Sequence, residues 1–189
     1  PSPMSMFLSS TRLMGPSIPA WLEETVQKVG DNDPSLKTVD LTHPQIDDVC
    51  AKVFASALEE NNVVETLILS CYAIVDDGAF AIGSVLGRNT SIQKLQLKDI
   101  RNVREITTFF QLLQPNTSIT ELSLRHCSIC PRGAQAIAAS LKEHAKLQEF
   151  RLTDSQLSGN SLCILCHGFK QSKLQRLYLV NDDLAGAED

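Results

Sequence analysis

The chain has 189 residues, 43% of them hydrophobic and 21% charged, a globular balance that excludes a disordered composition and allows one domain with a continuous core. Aromatic residues make up 5%, so the core is expected to be mostly aliphatic. A formal charge of −5, from 17 basic and 22 acidic residues, argues against nucleic acid as a partner, and no apolar run reaches the length of a membrane span.

In chain order, residues 1–15 hold a short apolar element around Met4 and Leu8 with no basic region before it, a poor signal peptide. Residues 19–29 read as an amphipathic helix with Trp21 or Leu22, Val26 and Val29 available for burial. Residues 1–35 are therefore expected to form an N-terminal extension whose helix caps the first repeat or belongs to a preceding degenerate unit.

From residue 36 onward the pattern is periodic. Apolar residues separated by two others and then by one recur at Leu36, Val39, Leu41; Val64, Leu67, Leu69; Ile92, Leu95, Leu97; Ile119, Leu122, Leu124; Leu147, Phe150, Leu152; and Leu174, Leu177, Leu179. The starts are 28, 28, 27, 28 and 27 residues apart. A second apolar site follows each strand at Ile46, Ile74, Ile129, Leu157 and Leu184; Asn102 takes that place in the third unit, where the turn is expected to differ. Glycines at 78, 133 and 159 suit the sharp entry into a helix or a close approach of neighbouring backbones.

Between the strands, helical spacing places Cys50, Phe54, Ala55 and Leu58 on one face, then Phe80, Ile82, Val85 and Leu86. The next three faces are Ile106, Phe109, Phe110 and Leu113; Ala134, Ile137, Ala138 and Leu141; and Leu162, Leu165 and Phe169. A single strand and helix close no core, whereas stacked copies do. The expected fold is an α/β solenoid, a curved horseshoe of parallel strands on the concave face and helices on the convex face. Residues 36–189 would hold about six 27–28-residue units, the last incomplete. Leu67, Leu95, Leu122 and Leu177 would point inward, and truncating one would cost about 2–5 kcal/mol.

These segments resemble the leucine-rich repeats of the ribonuclease-inhibitor-like class, also found in the receptor regions of NOD-like innate immune proteins. The unit at residues 119–146 carries the resemblance best, with Cys127 at the ladder position behind the strand. Pro44, Tyr72, Ile100, Ser155 and Asp182 depart from the Asn or Cys that the class usually has there, which puts the buried polar ladder in doubt. Two narrower resemblances concern residues 33–41 with 54–61, similar to the actin pointed-end-capping domain of tropomodulin and leiomodin, and the GTPase-activating protein for Ran, whose arginine has no identified counterpart here.

Outward strand residues form three rows: Thr38, Thr66, Lys94, Glu121, Glu149, Arg176; Asp40, Ile68, Gln96, Ser123, Arg151, Tyr178; and Thr42, Ser70, Lys98, Arg125, Thr153, Val180. Candidate protein-binding residues on this concave face are Lys94, Lys98, Arg125, Arg151, Arg176 and Tyr178, because Arg and Tyr combine contact area with directional donors. Lys98, Arg101 and Arg104 in the irregular third unit form a second candidate edge.

Catalytic and metal chemistry find little support. Cys127-x-x-Cys130 and Cys163-x-x-Cys166 resemble zinc half-sites, but repeat registration puts them in different parts of the cross-section. His126 and Asp99, in neighbouring units, are placed to meet without a nucleophile. The sequons at Asn89 and Asn116 fall in matching loops that repeat geometry explains without a glycan. The sequence therefore points to a cytoplasmic, non-catalytic protein-binding module with reduced cysteines and no cofactor or metal. The alternative is a regulator of a GTPase or of actin. Another copy stacking at the C-terminal end is one way to close the solenoid.

Overall fold

The structure, a computed structural model, describes residues 18–144 and 146–180. The apolar element near the N-terminus, Asp182, Leu184 and the C-terminal end expected to stack lie outside these residues.

Helix α1 (Ala20–Gly30) is followed by β1 (Thr38–Leu41), α2 (Asp48–Leu58), β2 (Thr66–Ser70), α3 (Asp76–Arg88), β3 (Lys94–Lys98) and α4 (Val103–Leu113). Then come β4 (Glu121–Arg125), β5 (Ser128–Ile129), α5 (Pro131–Glu143), β6 (Glu149–Thr153), β7 (Gln156–Leu157), α6 (Gly159–Gln171) and β8 (Arg176–Val180). Six strands pair in parallel in the order β1-β2-β3-β4-β6-β8, with a helix crossing back between each neighbouring pair. The result is the expected curved α/β solenoid. A small second sheet, β5 with β7, lies behind the last units and had no sequence counterpart.

Register is the repeat itself: Thr38, Thr66, Lys94, Glu121, Glu149 and Arg176 stand side by side. Because side chains alternate across a strand, one frame fixes both faces. Val39, Leu67, Leu95, Leu122 and Phe150 form a buried row, and Leu41, Leu69, Leu97, Leu124 and Leu152 form another. Leu177 departs from expectation: on the terminal strand of the described sheet it remains 36% exposed.

On α1, Leu22, Val26 and Val29 are buried, while Trp21 lies outside and meets the His43 ring at 4.7 Å. On α3, Phe80 was expected in the core but is 59% exposed. Each helical step turns about 100°, and the sheet-facing positions are Ala79, Ile82 and Leu86, so the residue after Ala79 is rotated outward. As expected, Gly78 sits at a close helix approach, where a Cβ would collide with Asp48 at the start of α2; Gly87, where it would collide with the Leu112 carbonyl, and Gly168, where it would collide with Ala138 Cβ, were not anticipated. At Gly133 a Cβ would meet Ile106 at an ordinary 3.5 Å.

The turn after the strand varies. In units three to five one residue with positive φ, Asp99 (61°), His126 (53°) or Asp154 (52°), precedes the buried ladder residue Ile100, Cys127 or Ser155. Unit two has no such residue. Cys71 is itself buried there and its N–H donates to the Lys98 carbonyl (2.8 Å), which pushes Tyr72 out to 63% exposure. The assignment of Tyr72 to the ladder is thereby corrected to Cys71.

A regular polar ladder does exist, at a place the apolar pattern does not mark. Asn61, Asn89 and Asn116 sit where each helix turns into the next strand, all buried. The Asn61 amide donates to Val29 O (2.7 Å), that of Asn89 to Asn61 O (2.9 Å), and that of Asn116 to Asn89 O (3.0 Å). Each side-chain oxygen accepts the backbone N–H groups two and three residues ahead, as Asn89 does from Ser91 (3.0 Å) and Ile92 (2.9 Å). These bonds satisfy backbone groups that helix ends leave unpaired. Burial of Asn89 and Asn116 accounts for both sequons as structural.

Candidate protein-binding surface

The six candidate residues stand on one concave surface because the strands share a frame. Their charges are largely spoken for. Lys94 Nζ lies 2.9 Å from Glu121 on the next strand. The Glu149 carboxylate, buried in the sheet face, takes Arg151 on its own strand and Arg176 Nε at 2.9 Å from the next. Arg125 Nε reaches Asp154 at 3.3 Å. The Arg151 guanidinium carbon is 4.1 Å from the Tyr178 ring centroid, a cation–π arrangement. Lys98 makes no ion pair among the described residues.

Between these pairs lies a cavity of about 210 Å³, bounded by Ile68, Leu95, Leu122, Glu121, Glu149 and Arg151. An apolar floor between charged walls suits one protruding side chain of a partner. Exposed pairs such as Lys94 with Glu121 contribute about 0–1 kcal/mol each, so a partner's own charges can displace them at small cost, whereas the buried Glu149 carboxylate holds its two arginines more firmly.

Along the edge where strands lead into helices, His126 lies between Asp99 (Nδ1, 3.6 Å) and Asp154 (Nε2, 3.5 Å), and Ser70 Oγ donates to Asp99 (3.1 Å). The pairing of His126 with Asp99 was legible from the repeat; the second carboxylate was not. Tyr72, exposed by the turn of unit two, lies under the Arg101 guanidinium, 4.9 Å from centroid to carbon. The sequence carried only a weak sign of this pair, a tyrosine where a buried residue was due.

The six cysteines are free thiols. Burial pushes the Cys71 thiol up and that of Cys127 up to about 12, so neither supplies a thiolate near neutral pH. Cys130, Cys163 and Cys166 are exposed, so Cys127 and its motif partner occupy different environments. Among the described residues no group of three or more His, Cys, Asp or Glu is placed to hold a metal ion. No helix among them is long and apolar enough to cross a membrane.

Comparison with known proteins adds three findings. A family model described as Leucine Rich repeat matches residues 116–138. Leiomodin-1 of Mus musculus is 32% identical over 136 residues, covering 68% of this chain and 22% of that protein; ribonuclease inhibitor of Sus scrofa is 28% identical over 119 residues, covering 61% and 26%. The chain thus spans about a fifth to a quarter of the length of these relatives. A solved structure titled Leiomodin-1 Actin-Binding Site 2 superposes with a TM-score of 0.63 at 23% identity, covering 82% of this chain and 90% of that one, a likeness of fold.

Proposed function

We propose that this chain, a non-catalytic leucine-rich-repeat module related to ribonuclease inhibitor and leiomodin, binds actin. The observation that carries the reading is the 32% identity to leiomodin-1 across two thirds of the chain. A leiomodin-1 segment of the same fold is titled an actin-binding site, which gives that likeness a ligand. The concave residues Lys94, Lys98, Arg125, Arg151, Arg176 and Tyr178 are proposed to contribute to protein binding, and a cytoplasmic location fits the ligand. Residues 36–189 are taken as the repeat domain, with residues 1–35 as an N-terminal extension.

A second reading rests on the ribonuclease-inhibitor likeness: a recognition module for another protein through the concave cavity. Co-sedimentation with actin filaments, together with anisotropy of labelled actin monomers, separates the two. Saturable binding with a dissociation constant near or below about 10 µM supports the first reading. No binding to either form at about 50 µM chain, with the fold intact by circular dichroism, removes it.

A further inference from the structure

We infer that the edge built from the loops leaving β2 and β3 and the first turns of α4 and α5 is a docking surface for an acidic polypeptide segment. Arg101, Arg104 and Arg132 are its cationic contacts and Tyr72 its aromatic anchor. The inference goes beyond the actin reading and does not require the partner to be actin.

Parallel strands put every strand-to-helix loop on one edge of the solenoid. There Lys98 ends β3, Arg101 follows in the loop, Arg104 lies in the first turn of α4, and Arg132 in that of α5. Asn102, Arg104, Thr107, Thr108, Gln111 and Arg132 bound a cavity of about 680 Å³, a lining with two guanidinium groups and no carboxylate. Its cations stand near the N-terminal ends of α4 and α5, where the helix dipoles are positive and favour anions. A carboxylate-bearing ligand would meet a favourable potential from both sources.

The contrast with the concave face gives the edge its meaning. There, Lys94, Arg125, Arg151 and Arg176 each have a carboxylate of the chain itself. On the edge, Lys98, Arg101 and Arg132 form no ion pair among the described residues. Of the nearby acids, Asp77 is engaged with Lys52 at 2.8 Å, Asp99 with Ser70 and His126, and Asp154 with Arg125 and His126, while Glu105 in the first turn of α4 is buried. A basic concentration in a chain of net charge −5 is a local feature, not an overall excess.

Tyr72 and Arg101 supply the remaining parts of an interface: a 63% exposed ring, a guanidinium stacked on it, and Val75, 51% exposed, on the same loop. Arg and Tyr dominate interface hot spots. The cavity is larger than one phosphate requires, and the Asn, Thr and Gln lining offers hydrogen bonds that suit a peptide backbone. Nucleic acid, a longer polyanion that reaches beyond the edge, is disfavoured by the chain's net charge of −5.

The test is fluorescence anisotropy of a labelled twelve-residue Glu/Asp-rich peptide against the full chain in about 50 mM salt, low enough to leave charge attraction weakly screened. The variants are Arg101→Glu with Arg132→Glu, Tyr72→Ala, and the remote charge reversal Lys142→Glu with Lys170→Glu. Saturable binding that falls at least tenfold in the edge double variant and at least threefold in Tyr72→Ala, but less than twofold in the remote one, supports the inference. No peptide binding, equal losses in both double variants, a loss of less than twofold in the edge double variant, or tighter binding of a twelve-nucleotide single strand overturns it. Peptide binding at the edge by a chain that leaves both actin filaments and actin monomers unbound removes the actin reading and retains the surface.

Discussion

Replacing Asn89 by alanine tests the polar ladder directly, since a single side chain holds three backbone groups from two units. Its amide donates to Asn61 O at 2.9 Å, and its oxygen accepts from Ser91 N at 3.0 Å and Ile92 N at 2.9 Å. Asn61 O keeps a longer bond from Ser91 Oγ at 3.4 Å and is not orphaned. The two N–H groups lose their acceptor, and each buried group left unsatisfied costs about 1–3 kcal/mol. Ser91 is half-buried and recovers part of its share from water, which leaves a net cost of about 2–4 kcal/mol. With a urea m-value of about 2 kcal/mol/M, the midpoint should fall by about 1–2 M. Urea titration followed by far-ultraviolet circular dichroism measures it, with the exposed Thr90→Ala as reference. Asn89→Asp, which keeps the acceptor, should lie between the two. If Asn89→Ala unfolds within about 0.25 M of Thr90→Ala, the ladder does not bear the stability assigned to it.

His144 is the next rung, 28 residues after Asn116, and its buried Nδ1 has no partner among the described residues. Its backbone N–H meets Ser140 O as that of Asn89 meets Val85 O, so His144→Asn should restore the amide's bonds and add about 1 kcal/mol near pH 7.5. Burial holds the folded His144 pKa below the usual 6.5. The unfolded chain therefore binds a proton first, and this residue's contribution favours unfolding progressively as pH falls below about 6.5, levelling off beneath the folded pKa. His144→Asn should remove that component, read as a smaller loss of urea midpoint from about pH 7.5 to about pH 5; parallel losses in both proteins would refute it. At Gly168 a methyl group collides with Ala138 Cβ, so Gly168→Ala should cost about 1–3 kcal/mol, and an unchanged thermal midpoint would show that α5 and α6 separate freely.

The parts of the fold that were legible in sequence are those fixed by strand alternation. Leu67, Leu95 and Leu122 could be placed inward, and Lys94 beside Glu121 outward, because one frame assigns every strand residue. The polar ladder was overlooked although Asn61, Asn89 and Asn116 recur at 28 and 27 residues. An apolar template stops at the strand and passes over the turn before it. Tyr72 was misplaced because the turn of unit two, equal in length to those of units four and five but without a left-handed residue, exchanges the buried and exposed positions, a difference of backbone conformation that residue type barely signals. Phe80 shows the same limit on a helix, where neighbouring residues point about 100° apart and a large apolar side chain need not face the sheet. The strand rows also set Lys94 beside Glu121 and Arg176 beside Glu149; that Arg151 shares the Glu149 carboxylate and Arg125 reaches Asp154 beyond its strand depends on which side chain turns toward which.

That neutralisation follows from the regularity of the repeat. Neighbouring parallel strands lie about 4.8 Å apart, so a cation and a carboxylate in one row meet without any further device, as Lys94 meets Glu121 and Arg176 meets Glu149. The strand-to-helix loops are not bound to that frame. Unit two lacks the left-handed residue that units three to five possess, and Asn102 caps α4 through Arg104 N where the other units place an apolar residue. Side chains on this edge therefore do not fall opposite their counterparts, and Arg101 finds an aromatic face in place of a carboxylate. The irregular loops give the edge a charge distribution that the strand rows do not repeat. Specificity for a partner is best placed on such an edge, because every unit shares the concave frame and only these loops differ from one unit to the next.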